Sequence, residues 1–248
     1  MPLEAYLPDE SLQKIAAENN VAETAFIVPD GDARWQLRWF TPAVEVPLCG
    51  HATLASAHYL FEHTGFSGEK ITFVTRKSGE LYVSQLPDGR LEMDFPAPAV
   101  KQIEVEAAVV EALGARPVEA WAGPFYCAVF DTPGEIHALK PDMRALKELG
   151  MSNEWERGNF GCLAPGGWNG AEVTSRFFAP GSGIDEDPAT GSWHCMLSAV
   201  MSPILEQPVL NNYQAYPGRG AWIETELAGD RVKLRGQSVT VIQGEFLL

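Results

Sequence analysis

Long hydrophobic runs are missing from this chain. No apolar stretch approaches the ~18 residues that a membrane-spanning helix needs, and Met1 to Glu10 contain neither the basic stretch nor the apolar run of a secretory leader. Positive charge is also scarce: 18 Lys and Arg stand against 33 Asp and Glu, a formal charge of −15. A phosphate backbone would be repelled, and there is no basic stripe to hold one, so nucleic acid is not an expected partner. Cysteine is sparse. Cys49, Cys127, Cys162 and Cys195 lie far apart, with no Cys-x-x-Cys pair and no His at the spacing of a zinc site, so no metal is expected. There is no phosphate loop or dinucleotide glycine fingerprint, which argues against a nucleotide cofactor. These absences point to a soluble, cytoplasmic protein with no membrane partner. Its 248 residues, 46% of them hydrophobic, are enough for one large core or two ordinary ones.

What the chain does contain is a repeat of itself. Arg38-Trp39-Phe40-Thr41-Pro42 reappears as Arg176-Phe177-Phe178-Ala179-Pro180. After an insertion of three residues between Pro180 and Gly191, Gly50, Gly79, Leu86, Arg90 and Met93 match Gly191, Gly220, Leu227, Arg231 and Leu234 in constant register. In each copy a strand end runs into a turn and then into an apolar helix, Ala52 to His63 and Trp193 to Leu205, rich enough in Ala, Leu and Met to be buried nearly all round. Alternating strands follow as hairpins: Leu81 to Leu86 with Arg90 to Phe95 around Asp88-Gly89, and Trp222 to Leu227 with Arg231 to Leu234 around Gly229-Asp230. The predicted fold is α+β, two pseudo-symmetric domains at 1–98 and 99–248, each a mostly antiparallel, barrel-like sheet wrapped around a central helix. In the second half a strand at about Phe125 to Phe130 precedes a helix at Pro141 to Leu149, whereas the matching helix Ser11 to Asn19 has only ten residues before it. The first half is therefore expected to lack its opening strand, with Asp9 or Ser11 capping its helix.

Three segments carry polar groups that a core would not choose. Glu23 sits where a helix end passes into an apolar strand; partial burial disfavours the charged form of a carboxylate and suits it to proton transfer near neutral pH, although a strand-end Glu on the rim reads equally well. Cys49-Gly50-His51-Ala52-Thr53 opens the first central helix, where backbone N–H groups exposed beside a glycine make an anion site; the helix dipole there disfavours an imidazolium, so a neutral His51 is expected. Asp185-Glu186-Asp187-Pro188-Ala189-Thr190-Gly191-Ser192 opens the second. Its acidic run could be no more than favourable charge at a helix start. As a duplicated pair, the two helix ends could instead clamp a small anionic substrate between the halves. His58, His63, His137 and His194 show no partner pattern.

Together, Ala22-Glu23-Thr24-Ala25-Phe26, Cys49-Gly50-His51-Ala52-Thr53 and Glu186-Asp187-Pro188-Ala189-Thr190-Gly191-Ser192 resemble the phenazine-biosynthesis isomerase-like (PhzF-like) family, and the resemblance spans essentially the whole chain. It implies a diaminopimelate-epimerase-like fold, often homodimeric, and isomerisation without a cofactor. It also implies Glu23 as the proton-transferring residue, His51 and Asp187 as its polar companions, and Gly50, Thr190, Gly191 and Ser192 in contact with the ligand. Racemases and epimerases of this fold use two thiols, one from each half; Cys49 fills the first position, but its repeat partner is Thr190. A racemase or epimerase, and a ligand-binding scaffold without turnover, are the alternatives to a cofactor-independent isomerase of a small unsaturated or cyclic carboxylic acid. Relatives usually carry Ala where this chain has Trp193, so the indole is expected to narrow the pocket.

Overall fold

A computed structural model describes residues 1–152 and 158–246. The chain forms two compact units, Met1–Asp94 with Arg235–Leu248, and Phe95–Leu234. Among the described residues, no helix is long and apolar enough to cross a membrane.

The first unit begins with α1 (Asp9–Asn19), which turns the spacing of Leu12, Ile15 and Ala16 into one buried stripe against Phe26 and Phe40. It stops at Asn20, whose left-handed backbone (φ 48°) returns its N–H to the Ala16 carbonyl. Asp9 does not cap the helix as the sequence suggests. The N-cap is Pro8 and no side chain caps it; the Asp9 carboxylate instead accepts from Arg38 at 2.9 Å and from Arg76 at 3.3 Å. There follow β1 (Thr24–Pro29), β2 (Arg34–Phe40), β3 (Glu45–Val46), α2 (Gly50–His63), β4 (Lys70–Thr75), β5 (Glu80–Gln85) and β6 (Leu91–Pro96). The strands lie in the order β1-β2-β4-β5-β6, with β3 on β2. Only the β2–β4 pair is parallel, because α2 supplies the crossover between them. Helix α2 touches both β1 and β5, so the sheet bends around it. Where no strand is expected, Pro2 bridges to Ile27 in parallel: Leu3 N–H donates to the Ile27 carbonyl and Ile27 N–H to that of Met1.

The second unit comprises β7 (Lys101–Ile103), α3 (Ala107–Leu113), β8 (Glu119–Ala122), β9 (Tyr126–Val129), α4 (Pro133–Ala138), α5 (Met143–Ser152), β10 (Phe160–Pro165), β11 (Val173–Phe178), β12 (Glu186–Asp187), α6 (Gly191–Leu205), β13 (Val209–Tyr216), β14 (Arg219–Ala228) and β15 (Arg231–Gly236). The order is β7-β8-β9-β10-β11-β13-β14-β15, with β12 on β11. Its sheet is buried on both faces: in β9, Tyr126 and Ala128 pack with α3, α4 and α5, while Cys127 and Val129 pack with α6.

The duplication is visible in the pairing. Strands β1-β2-β4-β5 and β10-β11-β13-β14 both run antiparallel, parallel, antiparallel, with α2 or α6 crossing at the parallel step. Glu45 lies opposite Phe40, as Glu186 lies opposite Phe178. The register has therefore already shifted by Glu186, which confines the insertion to the short turn around Pro180–Ser182.

Each copy also closes its turn with the same fork. Arg38 donates from Nε and Nη2 to the two carboxylate oxygens of Glu45 at 2.7 and 2.9 Å; Arg176 does so to Glu186 at 2.7 and 2.8 Å. Each guanidinium lies over the aromatic ring two residues on, Phe40 or Phe178. Bidentate pairing satisfies both charges at once. Arg176→Ala strands the Glu186 carboxylate, only 9% exposed, and is expected to lower stability in urea unfolding by about 3–5 kcal/mol. Adding Glu186→Gln should recover part of that loss.

Helix α6 buries nine of its fifteen residues, all between Trp193 and Ser202. Trp193 is fully buried against Phe177 and lies flat on Gly161, where a Cβ would come within 2.1 Å of the indole. It fills the core and does not narrow a pocket. His194 is also fully buried; its Nδ1 lies 2.8 Å from the Thr190 carbonyl and donates to it, the place that Thr53 takes in α2 by donating its hydroxyl to the Cys49 carbonyl at 2.6 Å. Burial pushes the His194 imidazole down from 6.5 to about 4. The folded state keeps it neutral while the unfolded chain takes up a proton, so its contribution is complete above pH 6.5 and is lost as pH falls towards 4. Urea unfolding should show up to about 3 kcal/mol of this loss, and His194→Gln should remove that part of the pH slope.

Candidate active site

In the first unit, the turn between α1 and β1 carries Glu23. Left-handed Asn20 reverses the chain, and Asn19 Nδ2 donates to Thr24 Oγ1 at 3.1 Å, which pins the turn to the start of the strand. Helix α2 starts at Gly50, with Cys49 extended before it (φ −146°, ψ 110°) and no side chain capping its first turn. This start brings His51 Nε2 to 2.9 Å from Glu23 Oε2. The Glu23 side chain is 17% exposed and that of His51 35%. Cys49 Sγ lies 3.7 Å from both ring nitrogens. That equidistance sets the sulfur against the ring rather than in line with either nitrogen. Glu23 and His51 both line an open cavity of about 330 Å³, with Asn19, Ala25, Ala52 and Tyr59 among its other walls.

The electrostatics differ from the sequence expectation of a neutral His51. Burial alone would lower its affinity for a proton, but Cys49 and Glu23 beside it outweigh burial and raise it well above the usual imidazole range. Burial also raises the Cys49 thiol.

The other sequence-predicted residues, Asp187, Thr190, Gly191 and Ser192, lie together in the second unit at the start of α6. Thr190 is the N-cap, yet its hydroxyl does not cap the helix; it donates to Asp187 Oδ2 at 2.7 Å, and Ala189 N–H approaches Oδ1 at 3.3 Å. Neither N-cap residue, Cys49 or Thr190, caps its helix through its side chain.

Sequence reasoning missed three participants. Gln214, fully buried on β13, accepts from Thr190 N–H at 2.9 Å and donates through Nε2 to the Asp187 carbonyl at 2.6 Å and to Thr190 Oγ1 at 3.1 Å. With its oxygen lone pair engaged by the amide, the Thr190 hydroxyl directs its proton to Asp187. Asn159 is the second: β1 starts opposite Phe40 as β10 starts opposite Phe178, so Asn159 holds the place before β10 that Glu23 holds before β1. Its Nδ2 donates to Ser182 in the inserted turn at 2.9 Å. The third is Cys49 as a donor atom. With Glu23 and His51 it forms a group of three metal-ligand types within 4.8 Å of one another, which the search for paired cysteines overlooked. His58 and His63 lie elsewhere on α2 and both bond Thr240 Oγ1, at 3.1 and 2.8 Å.

Relatives are found over nearly the whole chain. The family described as phenazine biosynthesis-like protein matches residues 2–244. An uncharacterized isomerase of Pseudomonas aeruginosa is 40% identical over 247 residues, covering 99% of this chain and 90% of that protein. The human phenazine biosynthesis-like domain-containing protein is 38% identical, covering 98% and 90%. The crystal structure of a PhzF-family phenazine biosynthesis protein of Enterococcus faecalis aligns with a TM-score of 0.91 at 34% identity, covering 100% of this chain and 91% of the other. The chain belongs to the phenazine biosynthesis-like (PhzF) protein family.

Proposed function

We propose that this protein is an isomerase that moves a proton within a small unsaturated or cyclic carboxylic acid and needs no cofactor to do so. Glu23 takes the proton from an activated carbon and, as its own conjugate acid, returns it elsewhere on the same conjugated system. The observation that carries the reading is the 2.9 Å approach of His51 Nε2 to the Glu23 carboxylate at a helix start. Relatives named as isomerases support it.

Each group has a role in this scheme. The His51 imidazolium holds Glu23 as the base, and when Glu23 becomes neutral it faces the negative charge that develops on the substrate. Gly50 lets the substrate approach the first turn of α2. In the second unit, Asp187, held by the Thr190 hydroxyl and the Ala189 amide, with Gly191 and Ser192 at the start of α6, offers groups of the kind that bind a carboxylic acid rather than carry its proton.

The two-thiol route of a racemase is disfavoured by chemistry: the N-cap of α2 is Cys49 and that of α6 is Thr190, which cannot serve as a thiolate. Deuterium wash-in from heavy water, followed by NMR over cyclic dienoic and amino acids, separates the readings. Glu23→Gln is expected to lower exchange by roughly 10²–10⁴-fold, and Cys49→Ala to retain it. Loss of exchange in Cys49→Ala alone would favour the racemase; ligand binding with no exchange in any form would favour a scaffold without turnover.

A further inference from the structure

We propose that Glu23, Cys49 and His51 form a three-ligand site for a soft or borderline divalent cation such as zinc or cadmium. Its occupation would silence the proton carrier. Cation binding itself does not depend on the isomerase reading; only the inhibitory consequence does.

The three donor atoms lie within 4.8 Å of one another, near enough for side-chain rotation to bring them onto one ion. Tetrahedral zinc, with bonds of about 2.0–2.1 Å to oxygen or nitrogen and about 2.3 Å to sulfur, sets its ligands roughly 3.4 Å apart for oxygen and nitrogen and roughly 3.6 Å for sulfur and nitrogen. In this protein Sγ to Nε2 is 3.7 Å and Oε2 to Nε2 is 2.9 Å. The sulfur stands at a suitable distance from Nε2 but equally near Nδ1, so the imidazole has to turn until Nε2 faces the ion, and the carboxylate needs to open by about half an ångström. Glu23 Oε2 is buried and, among the described residues, receives no aligned hydrogen bond even with His51 so close. That oxygen has a lone pair to offer.

Chemistry selects the ion. One thiolate, one imidazole and one carboxylate suit zinc or cadmium and give magnesium or calcium a single hard ligand, too few to hold either. Three protein ligands leave a fourth position open, and Glu23 and His51 both border the 330 Å³ cavity from which water or a ligand carboxylate would fill it. A net charge of −15 draws cations to the surface. Coordination replaces the Cys49 S–H proton and the His51 Nε2 proton with the ion, and both protons leave to solvent. The ion then withdraws charge from the Glu23 carboxylate and leaves it a weaker base towards carbon.

The test is a titration of the chelator-treated protein with cadmium alone, read by the ultraviolet thiolate-to-cadmium charge-transfer band. One equivalent should develop the band, Cys49→Ala and Cys49→Ser should both abolish it, and Glu23→Gln and His51→Ala should each weaken binding at least tenfold. Circular dichroism of the variants separates loss of ligand from loss of fold, with Cys49→Ser as the gentler change. Excess zinc should displace the band. Absence of a band, a band that survives both Cys49 variants, or binding indifferent to Glu23→Gln and His51→Ala would overturn the proposal. No substrate enters the titration, so the cation site and the isomerase reading fail separately.

Discussion

A two-pronged bond between a buried arginine and a glutamate holds each half of this protein in working order. Arg38 and Arg176 project from the ends of β2 and β11 and grip Glu45 and Glu186 on the short strands that fold back beside them. That grip decides where the chain leaves the sheet and where the following helix starts. Gly50 and His51 on one side, and Thr190 and Gly191 on the other, lie only a few residues beyond a glutamate whose position is set to within a hydrogen bond. Asp187 is the immediate neighbour of Glu186, so the loop that presents it inherits the precision of the fork. In the second half the anchoring goes deeper, because Arg176 Nη1 also donates to the carbonyls of Ile136 and Leu139 and ties the turn to α4.

Much of this is legible in the residues alone. Gly, Arg and turn positions recur in register because backbone conformation and paired charges constrain them locally, and a local constraint leaves a local mark. The central helices are legible from their apolar composition, and the hairpins from Asp88-Gly89 and Gly229-Asp230. What depends on partners far along the chain is not legible in this way. Glu23 and His51 are distant in sequence, and no periodicity predicts that they touch; only the resemblance of their motifs to a family put them together. Gln214 has an unremarkable sequence context, yet it organises the whole start of α6. Asp9 satisfies every rule for a helix cap, and two arginines outcompete the cap because a charge-assisted bond is stronger than a bond to a neutral amide.

The two halves have kept their scaffold and divided their chemistry. At equivalent places the first unit has Glu23 and Cys49 where the second has Asn159 and Thr190. Asp187 occupies a β12 position whose counterpart on β3 is Val46. One half thus carries a carboxylate against an imidazole, and the other a carboxylate held by hydroxyl and amide donors. A duplicated frame places chemistry at matched positions without requiring matched side chains.

Trp193 and Gly161 show how such a frame can change. The indole lies where any Cβ at position 161 would collide with it, so Gly161 cannot take a side chain while Trp193 stays. In a lineage that carries this tryptophan, the glycine opposite is obligatory; where a smaller residue takes its place, the glycine is released. The coupling is one-sided: position 161 can gain a side chain only after position 193 has lost its indole.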